Sequence, residues 1–200
     1  MNTLAEGLTR HLSSEQLTRL RNAHIGIAGA GGLGSNVAFM LARSGIRRLT
    51  LIDKDVVEAS NLNRQAYFPE HVGQPKVIAL SKELLRLEPE MELALFHETL
   101  TSKTASIRFA QCDAVVEAFD DAANKAMLYR TLVPTGVFFV GASGLAGWDG
   151  PPMTTRRIGK NAVLVGDGIS AVGTETPPMA PRVMQAASMQ ADAILAFLLN

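Results

Sequence analysis

Two groups of residues in this chain have the types and spacing that hold a phosphorylated ligand. The first is Gly29-Ala30-Gly31-Gly32-Leu33-Gly34, followed by Ser35. Glycines allow a tight turn and close backbone approach, and a helix opening there offers unpaired N–H groups at the positive end of its macrodipole. The second is the polar stretch from Asp53 through Asp55, Asn61 and Asn63 to Arg64 and Gln65, with Lys76 further on. Asp53 stands where a carboxylate accepts from a ribose hydroxyl. Arg64 offers a planar fork to phosphate oxygens, and Lys76 a compact point charge. Asn61, Arg64 and Gln65 can share one face of a short helical turn. The glycine fingerprint alone does not separate NAD, FAD and ATP. The added cationic set does, because a triphosphate needs it and a dinucleotide does not.

The elements that must position these groups alternate along the chain. Residues 25–28, 49–52, 91–96, 114–118, 136–140 and 161–165 read as strands. Residues 76–87, with Val77, Leu80, Leu84 and Leu87 at helical spacing, read as a helix, as do the segment opening at the glycine turn and residues 101–110, 122–132 and 183–199. Residues 6–21 read as an N-terminal helical extension that Ser13 and Ser14 divide. This pattern predicts one α/β domain over residues 1–200, Rossmann-like, with a mostly parallel sheet covered by helices on both faces. Residues 141–181 are rich in Gly and Pro and, apart from the strand at 161–165, read as a long loop, either functional or mobile.

Composition narrows the partners. Lys plus Arg and Asp plus Glu balance at 19 each, which argues for neither nucleic acid nor an anionic membrane. No apolar run approaches the ~20 residues of a bilayer span, and the first residues lack the apolar core of a signal peptide. The single cysteine, Cys112, excludes an internal disulfide and a multi-cysteine zinc site and fits a cytoplasmic setting.

Taken together, Gly29 to Gly34, the string Ser60-Asn61-Leu62-Asn63-Arg64-Gln65, Val72-Gly73-Gln74-Pro75-Lys76, Ala118-Phe119-Asp120-Asp121 and Pro178-Met179-Ala180-Pro181 resemble the ubiquitin-activating-enzyme superfamily in its small bacterial ThiF/MoeB adenylyltransferase form. The compact length looks most like the shorter ThiF type. The resemblance implies ATP-dependent adenylation of the C-terminal glycine of a small ubiquitin-like sulfur carrier with a Gly-Gly tail, in thiamine thiazole synthesis. It implies that Asp53 binds ribose, that Asn61, Arg64 and Lys76 contact phosphates with Gln65 and Asp55 in the same loop, and that Asp120 holds Mg²⁺. It further implies a homodimer in which an N-terminal arginine reaches the partner's ATP; Arg10 is the candidate, with Arg19 and Arg21 as substitutes. The loop at 141–181 then corresponds to a crossover loop under which the carrier tail threads. A carboxylate of pKa roughly 3.5 is already a nucleophile at neutral pH. In-line attack on the α-phosphorus therefore asks for positioning and positive charge rather than a general base.

The chain departs from the family in having no Cys-x-x-Cys pairs, so no zinc is expected, and no cysteine between 166 and 181. Cys112, beside Asp113, reads as an incidental thiol. His11, His24, His71 and His97 show no ligand spacing. Trp148 reads as either a groove residue or a loop anchor. Competing readings are a superfamily enzyme acting on a molybdopterin carrier or on tRNA threonylcarbamoyladenosine, a non-catalytic nucleotide-binding module, and an NAD-dependent oxidoreductase.

Overall fold

The computed structural model describes residues 3–200. Helices α1 (Thr3–Leu8) and α2 (Ser14–Asn22) precede the sheet. Ser13 caps α2 in a reciprocal box with Gln16, which separates the two helices where the serines stand. Then follow β1 (His24–Ala28), α3 (Gly32–Arg43), β2 (Arg48–Ile52), α4 (Lys76–Leu87), β3 (Glu92–Phe96), α5 (Ser102–Arg108), β4 (Ala114–Glu117), α6 (Ala122–Leu132) and β5 (Phe138–Ala142). The chain ends with β6 (Thr154–Ile158), β7 (Ala162–Gly166) and α7 (Ala180–Leu199).

The strands form one seven-stranded sheet in the order β3-β2-β1-β4-β5-β7-β6. All neighbours are parallel except β6, which runs antiparallel to β7 at the edge. One face packs Val37, Ala38 and Leu41 of α3 and Leu80 and Leu84 of α4 with Ala186, Ala187 and Ile194 of α7. The small alanines let α3 and α7 lie close. The other face buries Val115 and Phe139 under Phe109, Leu128 and Leu132, from α6 and the end of α5. Helices thus cover both faces, as a largely parallel sheet requires.

Two expectations need correction. Residues 154–158 were expected in a loop but form β6. All five are exposed, so no inward face imposes alternation on Thr-Thr-Arg-Arg-Ile, and periodicity carries no signal there. The last helix starts at Ala180 rather than 183, with Pro181 in its first turn, where a missing N–H costs nothing.

Candidate active site

The strand order reverses between β1 and β4, and an open parallel sheet leaves a crevice at the carboxyl ends of such a pair. The glycine turn fills that point. Gly29 has φ +98°, and a Cβ on it would lie 2.8 Å from the Ala118 carbonyl oxygen after β4. Its N–H donates to the Ile52 carbonyl at 2.8 Å. Gly29, Gly31 and Gly32 line the cleft. Gly34, expected among the ligand-binding glycines, serves packing instead: a Cβ there would stand 1.8 Å from the Gly29 oxygen, so α3 reaches the turn only with glycine at that position.

The loop between β2 and α4 is bolted to this turn. Ser35 accepts from the Ala66 N–H at 3.0 Å, and Asn36 donates to the Arg64 carbonyl at 2.9 Å. The Tyr67 hydroxyl donates to the Ala30 carbonyl at 2.7 Å and lies 3.3 Å from the Lys76 carbonyl. Sequence reading named Ser35 only as the residue after the turn and missed the tethering role of all three, whose partners lie on another segment.

The predicted residues converge. A cleft of about 1040 Å³ is lined by the three glycines, Asp53, Asp55, Arg64, Gln65, Lys76, Asp120 and the first residues after β5. A smaller chamber of about 470 Å³ adds Asn61 and His97 and shares Asp55, Arg64, Gln65, Lys76 and Asp120. Asp53 accepts from the Ala30 N–H at 2.6 Å and from the Asp55 N–H at 2.8 Å, which fixes the carboxylate at the end of β2. Lys76 is buried and pairs with Asp55 at 3.1 Å. Arg64 donates to the Ser60 carbonyl and to Asn63 Oδ1, and among the described residues it forms no ion pair. Asn61 is committed to its own turn, accepting from the Glu58 N–H at 3.1 Å. Gln65 is buried, and its Oε1 has no hydrogen-bond partner among the described residues. Such an orphan inside a cleft is a group waiting for a ligand donor or a water.

Asp120 and Asp121 separate by task. Asp121 caps α6 by accepting from the Asn124 N–H at 2.9 Å. Asp120 lines both chambers, and among the described residues its carboxylate makes no hydrogen bond. No group of three His, Cys, Asp or Glu suited to a metal stands among the described residues. Beneath the cleft, Glu117 ends β4 fully buried, held by the Lys125 ammonium at 3.0 and 3.1 Å. Lys125 also donates to the Ala142 carbonyl at 3.0 Å, tying the ends of β4 and β5 together. Burial pushes the Glu117 carboxyl up, and the Lys125 charge partly opposes it. This pair escaped the sequence reading, although a glutamate closing an otherwise apolar strand was its signal.

Other predicted positions lie elsewhere. Arg10 is exposed in the turn after α1 and lines neither chamber. Trp148 is 66% exposed, so it is not a buried anchor, and it does not line the cleft. Burial pushes the Cys112 thiol up to about 12, which disfavours the thiolate form that reacts. His97 donates to the Lys54 carbonyl at 2.7 Å and is the one histidine lining the smaller chamber. No helix among the described residues is long and apolar enough to cross a membrane.

A family model described as the ThiF family matches residues 6–200. The chain belongs to the ThiF family. Among curated relatives, it is 39% identical to adenylyltransferase and sulfurtransferase MOCS3 of Dictyostelium discoideum over 66% of this chain and 31% of that protein. It is 33% identical to the tRNA threonylcarbamoyladenosine dehydratase of Bacillus subtilis over 68% of this chain and 54% of that one. The match therefore spans about a third to a half of these relatives. Among solved structures, E. coli tRNA N6-threonylcarbamoyladenosine dehydratase in complex with AMP superposes with a TM-score of 0.87 at 21% identity, covering 97% of this chain and 93% of that one. E. coli MccB superposes at 0.73, with 23% identity and coverage of 92% and 58%. At these identities the superpositions establish the fold: the α/β architecture with its mostly parallel sheet is that of the ThiF family.

Proposed function

We propose that this ThiF-family chain binds ATP in the switch-point cleft and transfers AMP to a carboxylate, releasing pyrophosphate. The observation that carries the reading is one cleft holding Asp53, Arg64, Lys76, Asp120 and the orphaned Gln65 Oε1 beside a glycine turn. Asp53 orients the ribose. Arg64 is free of carboxylate partners among the described residues and is available to phosphate oxygens. Lys76 exchanges its Asp55 partner for phosphate or serves both. Mg²⁺ is commonly held by one or two carboxylates together with phosphate oxygens; Asp120 fits as that carboxylate, and the ion would offset charge on the triphosphate. The carboxylate attacks as an anion, so the protein's task is to hold it in line and neutralise repulsion.

The acceptor we assign is the C-terminal carboxylate of a small carrier protein, and the support is the relatives that are adenylyltransferases and sulfurtransferases. No relative named above is a thiamine-pathway activator, so the thiazole assignment gives way to this broader one. A second reading, the threonyl carboxylate of tRNA threonylcarbamoyladenosine, is favoured by the Bacillus subtilis relative. Carrier-dependent pyrophosphate–ATP exchange tests the two side by side, with a ubiquitin-like protein ending in Gly-Gly in one arm and the modified tRNA in the other. Exchange in the first arm supports the assignment, exchange in the second alone moves it to tRNA, and exchange in neither removes the adenylation reading. Arg10 we assign to the nucleotide of a partner protomer in a homodimer.

A further inference from the structure

The segments on either side of the β6–β7 hairpin form a strap along one wall of the cleft, and one ion pair holds both. Arg182, in the first turn of α7, donates from Nη2 to the Pro151 carbonyl at 3.2 Å and to Oδ2 of Asp167. Gly150 lies flat against its guanidinium, where a Cβ would meet Cζ at 2.9 Å. Asp167 accepts from the N–H groups of Ile169 at 2.8 Å and Ser170 at 2.7 Å, and from the Ser170 hydroxyl. Its own N–H donates to the Gly144 carbonyl, and the Gly168 N–H to Ser143, at 3.0 Å each. The Asp167 side chain is fully covered and that of Arg182 is 9% exposed. Burial pushes the Asp167 carboxyl up, but the Ser170 and Ile169 hydrogen bonds and the Arg182 charge outweigh it and hold it below the usual range.

Neither residue lines the cleft, yet the segments they hold do: Gly144, Leu145, Ser170, Ala171 and Val172 form its wall on the β5–β7 side. Most of the groups assigned to the nucleotide stand after β1 and β2, on the other side of β4; Asp120 follows β4 itself, and Val183 beside Arg182 adjoins the turn at Gly32. A covered ion pair is a weak source of stability, because desolvation offsets its attraction. What it supplies is direction, here to two strap arms at once.

We propose that Asp167 and Arg182 are positioning residues for the acyl acceptor, setting the strap wall along which the carboxylate approaches the α-phosphorus. The inference rests on the adenylation reading above. Reacting atoms must stand about 3–3.5 Å apart, and a shift of about 1 Å in the wall costs up to about a hundredfold in rate. The pair is therefore expected to act mainly on the acceptor, through the wall at 144–145 and 170–172.

The test uses Asp167→Asn, Arg182→Met and Arg182→Lys in the full chain. Asp167→Asn and Arg182→Met are expected to raise the KM for the active acceptor about tenfold or more, while the dissociation constant of a non-hydrolysable Mg·ATP analogue stays within about twofold. Arg182→Lys, which keeps the charge facing Asp167, recovers most of the KM. Amide exchange at 144–150 and 168–172 should accelerate in the first two variants while amides at 25–28 and 114–117 hold their protection. Unchanged strap exchange or an unchanged acceptor KM overturns the proposal. So does a parallel loss of nucleotide affinity and sheet protection, which would make the pair a general fold contact. If the wild-type chain exchanges with neither acceptor, the adenylation reading has failed, and strap exchange alone decides whether the pair holds the wall.

Discussion

Gln65 illustrates how a residue can be costly to the resting protein and useful to its ligand. A buried acceptor without a donor forfeits about 1–3 kcal/mol of solvation. Gln65→Leu is therefore expected to leave thermal stability unchanged or raised, while weakening ATP binding about tenfold in a calorimetric titration. Equal affinity in the variant would detach Gln65 from the nucleotide. Arg64→Ala and Asp120→Ala are expected to lower acceptor-dependent exchange by about 10²–10³ with the melting profile retained, since both side chains lie at the cleft surface and support no core. At this scale much of the candidate site was legible in the sequence, because Arg, Lys and Asp in a polar string have few structural reasons to recur around a glycine turn. What escaped were the bolts, Ser35, Asn36 and Tyr67, and the Glu117–Lys125 pair. Their partners are backbone carbonyls and groups on other elements, which only the fold brings near.

Among the elements, α3 depends on the last glycine of the turn. Gly34 lines neither chamber, yet a methyl group there collides with the Gly29 oxygen. The turn or the helix must shift, which for an overpacked site costs about 1–3 kcal/mol or more. Gly34→Ala should therefore lower the denaturant midpoint and abolish nucleotide binding together. Gly73→Ala offers the contrast. A Cβ there meets nothing within 4 Å, and only the φ of +87° is strained, so a loss of about 1–2 kcal/mol with binding retained is expected. If both substitutions cost the same and spare binding, the close approach of α3 is not what forms the turn. Buried strands and amphipathic helices were readable because one face meets a core. β6 was not, because neither of its faces does, and its pairing partner β7 alone decides that it is a strand.

For the whole molecule, acid should be felt far from the cleft. His24 is buried at the amino-terminal end of β1, with Nε2 2.8 Å from Thr50 Oγ1 and Nδ1 3.1 Å from the Gln111 carbonyl. Burial, and then the Arg48 charge, hold it below its usual 6.5, against the opposing pull of the Gln111 carbonyl, Asp113 and Glu92. The unfolded chain therefore takes up this proton first. The stability contribution is complete above about pH 6.5 and is lost as pH falls toward the lowered folded value. His24→Gln should flatten that part of a melting-temperature profile, and an unaltered slope would assign it to other groups. The N-terminal helices bear on the proposed role of Arg10. Leu8 and Leu20 pack at Gly45, just past the carboxyl end of α3. The glycine turn opens the other end of this 12-residue helix, about 18 Å away. Arg10, two residues beyond Leu8, therefore stands at the wrong end of its own protomer to touch its own nucleotide. Its assigned role in catalysis therefore runs across an interface, and two inactive variants should complement. Arg10→Ala keeps an intact cleft and Arg64→Ala keeps a donor arginine, so a mixed dimer contains one complete site. Mixing the two after mild dissociation should restore exchange that neither shows alone. No recovery, in a mixture shown by mass to contain the heterodimer, would remove Arg10 from the reaction.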